Sequence, residues 1–314
     1  LSEHDTRSGP RPPHGAPTRT AIVGVDVGGT KTHVAVVGAD GNRRDVVVPS
    51  ADWRRGAMFS DLANFERLAA LVGELSPAYG RIVIGLHDLD TPEQRAVAAA
   101  ELSRHLPGVV RVVNDAELLG PAAGLERCLQ LIVGTGAIAL GRDEQGRGLS
   151  ADGYGALIAD YGSAPALVRD TIRRCLRYAD EEGPEAAVAD PAMALFCAAY
   201  DVRTPADLAL AVCAESAYAW GRHAPLVFDA LRQGSPAAGA VVDEAADILA
   251  RNLAALGRRG ALGSVVVGAG GVLTAQPELQ DRLRERLRVH APQLTLQVLT
   301  AAPVEGALVL AAAG

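Results

Sequence analysis

Ala21-Ile22-Val23-Gly24-Val25-Asp26-Val27-Gly28-Gly29-Thr30-Lys31-Thr32 is the stretch that decides the fold. Its β-branched apolar run reads as a buried strand. An acid, Asp26, stands at the neck, and two glycines follow. Glycine has no Cβ, so backbone N–H groups in such a loop can close on an anion. Lys31 is the only lysine in the chain, and the other cationic side chains are arginines. A lysine kept here points to a local need, with Thr30 and Lys31 as candidate phosphate donors. A tight hairpin turn with a solvated lysine is the competing reading of the same residues.

The pattern recurs. A strand at 129–133 runs into Gly134-Thr135-Gly136 and a second strand at 137–140. A strand at 264–267 runs into Gly268-Ala269-Gly270-Gly271. Between the first two stations, Asn114 and Asp115 end a strand at 109–113 and open a helix expected over 116–125. Two halves that each begin strand, glycine turn, strand imply a weak internal duplication. Paired domains with a cleft between them follow from it. Two small-residue hairpins can clamp a triphosphate from opposite sides, with Thr135 as a further donor. The last glycine run lets an adenosine lie flat on backbone. The chain has no G-x-x-x-x-G-K-[S/T], so it is not a P-loop protein. Its first loop is not a G-x-G-x-x-G that opens a helix, so dinucleotide binding is not expected.

Composition sets the bounds. A length of 314 residues suggests about two domains, and 49% hydrophobic content is enough for two cores. The net charge is −7 with dispersed arginines, which argues against a nucleic-acid surface. No apolar run approaches the ~18 residues of a membrane span. Cys128, Cys175, Cys197 and Cys213 have neither zinc nor iron–sulfur spacing and sit in apolar contexts. A cytoplasmic protein is expected. Residues 1–19, rich in Pro, His, Ser and Arg, read as a disordered leader in which His4 and His14 are solvated.

The remaining elements alternate. Strands are expected at 20–27, 33–37, 45–49 and 81–86. Helical spacing runs over 61–75, and Thr91 and Pro92 cap a helix to about His105. Helices dominate 162–256, including single helices over 205–220 and 236–256. A helix at 277–289, a strand at 295–299 and an apolar helix at 304–313 close the chain.

These segments together resemble the sugar kinase/actin/heat-shock-chaperone ATPase superfamily. Within it they are similar to the N-acetylglucosamine kinase branch, which shares a family with the activator ATPases of benzoyl-CoA reductase. The resemblance rests on Val25–Thr32, Val112-Val113-Asn114-Asp115-Ala116-Glu117, Ile132–Gly136, Asp160 with Gly162-Ser163-Ala164, Val266–Val272, and Pro303-Val304-Glu305-Gly306-Ala307. It implies an α/β, ribonuclease-H-like, two-lobed duplicated fold with a central cleft. One lobe would comprise 20–124 plus 303–314, and the other 125–302. It implies ATP-dependent phosphorylation of a hydroxyl on an amino sugar such as N-acetylglucosamine or glucosamine, with Mg²⁺, in a homodimer without nucleic-acid or membrane partners.

Residue by residue, the resemblance makes Asp115 the catalytic base. A plain helix cap at Asn114 or Asp115 is the alternative. Asp26 would hold Mg²⁺; an Asx residue that shapes the turn is the alternative. Gly28, Gly29, Thr30, Lys31, Gly134, Thr135, Gly136, Gly268, Gly270 and Gly271 would hold the nucleotide. Asp52, Trp53, Asn114, Gly153, Gly155 and Asp160 would face the sugar, although Trp53 also suits a partly buried structural role. His87 could contact ligand, but a hydrogen-bonded loop histidine is the preferred reading.

The chain departs from the family pattern at Ala51, Ala137 and Tyr161, where small polar, hydroxyl and glutamate side chains are usual. These changes leave the sugar open. They also keep a second class in view, a nucleotide-binding regulatory or catalytically weakened protein. An iron–sulfur activator is not expected, because no cysteine adjoins a glycine loop.

Overall fold

The computed structural model describes residues 20–76, 78–89 and 91–314. The expected leader, with His4 and His14, lies outside the described residues, as does Asp90. Two five-stranded sheets organise the chain. The first contains β1 (Ile22–Val27), β2 (Lys31–Val37), β3 (Arg43–Pro49), β4 (Arg81–Leu86) and β5 (Val109–Asn114), in the order β3-β2-β1-β4-β5. The second contains β6 (Leu129–Val133), β7 (Ala137–Arg142), β8 (Gly148–Asp152), β9 (Val265–Ala269) and β10 (Thr295–Val298), in the order β10-β9-β6-β7-β8.

The two sheets are topological copies. In each, the first three strands form an antiparallel meander and the last two join the opposite side in parallel. The duplication is thus complete. β8 was not expected, because Gly148-Leu149-Ser150-Ala151-Asp152 has no apolar run and forms a half-exposed edge. Backbone pairing with β7 makes it a strand.

β1 is buried along nearly its whole length, since helices cover the sheet on both faces. Phe65, Leu68 and Val72 of helix Ala63–Leu75 pack on one face. On the other lies the last helix, Val304–Ala313, whose Ala307 and Ala311 join Val83, Val113 and Leu118. Arg43 of β3 also pairs with Glu305 at 2.7 Å. In the second half, helices Ala164–Glu182 and Pro236–Arg258 bury Ile172, Leu249 and Leu253 in one large core.

Two expected helices are broken. Ser216 caps a fresh start by accepting from Ala219 N–H, so 205–220 becomes Pro205–Cys213 and Ala217–Trp220. The helix after Asp115 is a 3₁₀ turn, Asp115–Leu118, and one α turn, Leu119–Ala122. Gly124, at φ +72°, turns the chain away soon afterwards.

Two glycines fix where that turn sits. A Cβ on Gly85 would lie 2.4 Å from Leu118 Cδ1, and one on Gly306 would lie 1.9 Å from the Leu118 carbonyl oxygen. Backbone cannot yield as a side-chain tip can. Gly306→Ala is therefore expected to cost at least ~1–3 kcal/mol, read as a lower thermal midpoint. An unchanged midpoint would mean that the helix and the turn are not in contact.

Candidate active site

Three neighbouring parallel strands deliver their C-terminal ends to one place. Asp26 of β1 pairs with Gly85 of β4, and Leu86 of β4 pairs with Asn114 of β5. Asp26, His87 and Asp115 therefore meet at the carboxyl edge, where open α/β sheets bind ligands. Asp115 follows β5 directly, and Gly85 lets its backbone approach, with an added Cβ only 3.2 Å from Asp115 Cα.

Asn114, not Asp115, supplies the reciprocal cap. Its Oδ1 accepts from Ala116 N–H at 3.0 Å, and its own N–H donates to Glu117 Oε1 at 3.1 Å. Its Nδ2 donates to the Leu89 carbonyl at 3.1 Å. The Asn114 amide is thus buried and bonded to backbone through both of its polar atoms. Arg95, at 2.6 Å, and Arg142 of the second sheet hold Glu117. Asp115 Oδ1 accepts from Ala116 N–H at 2.9 Å, and Oδ2 faces His87.

Asp26 is buried, with 7% exposure. Burial, reinforced by the negative charge of Asp115, pushes its carboxyl up to about 7, while Lys31 and His87 partly offset this. His87 behaves oppositely to a buried neutral histidine. Desolvation pulls it down, but the Asp115 and Asp88 carboxylates outweigh that and raise it to about 9. The ring thus carries a positive charge at neutral pH.

The first glycine turn is held from behind. Gly28 N–H donates to the Lys31 carbonyl at 2.9 Å, closing the hairpin. The carbonyls of Gly28 and Thr30 accept from Ser50 Oγ and N, each at 2.9 Å, and that of Gly29 accepts from Arg54 Nη2 at 3.1 Å. With these carbonyls turned toward Ser50–Arg54, no described residue accepts from the N–H of Gly29 or Thr30. Trp53 Nε1 donates to Thr32 Oγ1 at 3.0 Å. Trp53 braces the loop, and Asp52 lies exposed in a groove with Arg55, Arg67 and Glu74. Trp53→Phe is expected to weaken nucleotide affinity while leaving the sugar KM unchanged; a change confined to the sugar KM would reverse this assignment.

The other turns converge on the first. Thr30 Oγ1 and Thr135 Oγ1 are 3.1 Å apart, joining the two sheets. A Cβ on Gly134 would be 3.3 Å from Gly271 N, and one on Gly270 would meet Val133 O at 2.4 Å. Gly268 is different. It lies inside β9, and the space of its missing Cβ is taken by Leu273 and Leu296, at 2.7 and 3.1 Å. Glycine at this position makes room for those two leucines.

The sugar-side loop also reaches this junction. Asp160 is buried and accepts from Gly155 N–H at 2.8 Å, and its Oδ2 lies 3.2 Å from a Cβ built on Gly136. Burial raises its carboxyl above the usual range. Gly153 and Gly155 adopt φ of +83° and +89°. Asp152 ties the loop, accepting from the backbone N–H of Asp160 and Tyr161 at 2.9 and 3.1 Å. Asp88, Asp152 and Asp160 all have positive φ, the kind of strain that collects at functional sites.

Known proteins carry the same plan. No family model matches the chain. It is 22% identical to N-acetyl-D-glucosamine kinase of Dictyostelium discoideum, across 94% of this chain and 98% of that one. It is 29% identical to an N-acetylmuramic acid/N-acetylglucosamine kinase of Clostridium acetobutylicum, across 52% of this chain and 55% of that one. A solved structure from Chromobacterium violaceum, assigned as an N-acetylglucosamine kinase, superposes with a TM-score of 0.69 at 22% identity, covering 94% of this chain and 99% of that one. Over nearly its whole length the chain is similar to an N-acetylglucosamine kinase. Its duplicated α/β fold, two sheets of matching strand order, is the fold of that solved structure.

Sequence reasoning left Asp152, Ser50 and Arg54 without a role and preferred a loop role for His87. For His87 a signal existed: it is the first residue beyond a parallel strand, at the edge that carries Asp26 and Asp115. The other three act through hydrogen bonds between distant segments, which no local pattern announces.

Proposed function

We propose that the chain transfers the γ-phosphoryl group of ATP to a hydroxyl of an amino sugar such as N-acetylglucosamine or glucosamine. One observation carries this reading. Asp115 is buried, its Oδ2 faces His87 at 3.6 Å, and His87 lies against the glycine turns of both sheets. The turns of Gly28–Thr30 and Gly134–Gly136 would hold the phosphates, with Lys31 adding charge, and Gly270 and Gly271 would hold the nucleoside. A sugar hydroxyl is a weak nucleophile until a base takes its proton. Asp115 would accept that proton as the hydroxyl oxygen bonds to phosphorus and ADP departs. Asp160, with Gly153 and Gly155, would orient the sugar.

Mg²⁺ fits the acid at the neck. Asp26 is a buried carboxyl beside a second carboxylate, an arrangement that a cation would relieve. No group of three potential ligands occurs among the described residues. That suits an ion bound by one or two carboxylates, water and phosphates. When bound, it would neutralise phosphate charge.

No helix among the described residues is long and apolar enough to cross a membrane. The cytoplasmic part of the reading rests on four unpaired cysteines, and the homodimer on the family resemblance alone. The test of function is ADP release over a panel of amino and neutral sugars, with and without magnesium. Turnover confined to amino sugars and dependent on magnesium is expected. Tight ATP binding without turnover on any sugar would defeat the kinase reading.

A further inference from the structure

We infer that His87 is a catalytic residue of this site, donating a hydrogen bond from its ring to the phosphoryl group in transfer. The inference deepens the kinase reading and rests on it. His87 stands where the glycine turns face each other. Its Nε2 is 3.6 Å from a Cβ built on Gly29, and its Cε1 is 4.0 Å from one built on Gly136. No other described side chain reaches both turns and Asp115 in these contacts. The backbone fixes the residue, with His87 N–H donating to the Val27 carbonyl at 2.9 Å.

Its ring donors are not settled. Nδ1 lies 3.6 Å from Asp115 Oδ2, and Nε2 lies 3.3 Å from Asp88 Oδ1. Neither contact is a well-formed hydrogen bond. The ring therefore has donor capacity to spare. The carboxyl groups of Asp115, Asp88, Asp26 and Asp160 surround it, with Arg54 as the nearby cation. Negative charge building on the phosphoryl oxygens is the partner such a donor suits, because a fixed donor at developing charge lowers the barrier. The P–O bond to ADP breaks and the bond to the sugar oxygen forms. The sugar proton goes to Asp115, and His87 keeps its own.

The test uses the full chain and His87→Gln, with ADP, aluminium fluoride, magnesium and N-acetylglucosamine as a mimic of the transferring group. The unaltered chain is expected to bind the fluoride complex more tightly than ADP alone. His87→Gln is expected to lose kcat by about 10²-fold and most of the fluoride-dependent affinity, with ADP affinity and sugar KM preserved. His87→Lys should recover part of kcat. A purely structural histidine would change stability without separating fluoride affinity from ADP affinity. An active parent with an equally active His87→Gln overturns this inference alone. An inactive parent overturns the kinase reading and the inference with it. Should His87→Gln fail to fold, a crystal of the unaltered chain with the same mimic decides: a ring N–H on the fluoride supports the inference, and a ring turned away from it refutes it.

Discussion

Asp115→Asn is expected to bind ATP as the unaltered chain does and to transfer phosphoryl roughly 10²–10⁴-fold more slowly. The amide matches the carboxylate in shape. Its oxygen can still accept from Ala116 N–H, now at 2.9 Å from Asp115 Oδ1. The reciprocal cap belongs to Asn114 and Glu117, so the turn should keep its form. What is lost is the basic oxygen that faces His87. ADP-release kinetics beside calorimetric ATP affinity separate the two effects. Near-normal turnover would remove Asp115 from the mechanism.

Asp26→Asn is expected to do two opposite things. In the folded chain without metal, the Asp26 carboxyl is raised from 3.8 to about 7. Its contribution to stability is therefore complete below the unfolded value and is lost as pH rises through the folded one. At pH 8 the folded chain carries a buried carboxylate that the unfolded chain would solvate freely. Asparagine removes that burden, so the variant should be more stable at pH 8 by roughly 2–4 kcal/mol, with the difference fading toward pH 4. Magnesium-dependent nucleotide affinity should fall sharply in the same variant. Denaturant unfolding at the two pH values and nucleotide titration with and without magnesium check both halves. A variant less stable at pH 8 would show that Asp26 is charged and well paired. His87 adds a later slope: raised to about 9, its stabilising charge is lost only as pH climbs through that value.

Much of the scaffold was legible because it is local. The strands around Gly28-Gly29 and Gly134-Thr135-Gly136, the cap at Thr91 and the helix Val304–Ala313 announce themselves by periodicity, turn chemistry and composition. The repeat was visible as strand, glycine turn, strand, although β8 escaped because an edge strand needs no apolar run. Asp26 and Asp115 stood out as candidates because a motif surrounds each. Bonds that a residue makes to its neighbours carry no such local signal. Asn114 spends its amide on the cap and on Leu89, Trp53 binds Thr32, and Gly268 makes room for Leu273. His87 was undervalued because its partners, Asp115 and the two glycine turns, are distant in sequence. They meet it only when β1, β4 and β5 align.

The measurement closest to the central claim is a crystal structure of the full chain with a non-hydrolysable ATP analogue, magnesium and N-acetylglucosamine. The account predicts the terminal phosphate between Gly28–Thr30 and Gly134–Gly136, with a sugar hydroxyl on Asp115 Oδ2. A triphosphate bound outside that junction, or a sugar with no hydroxyl near Asp115, would contradict it.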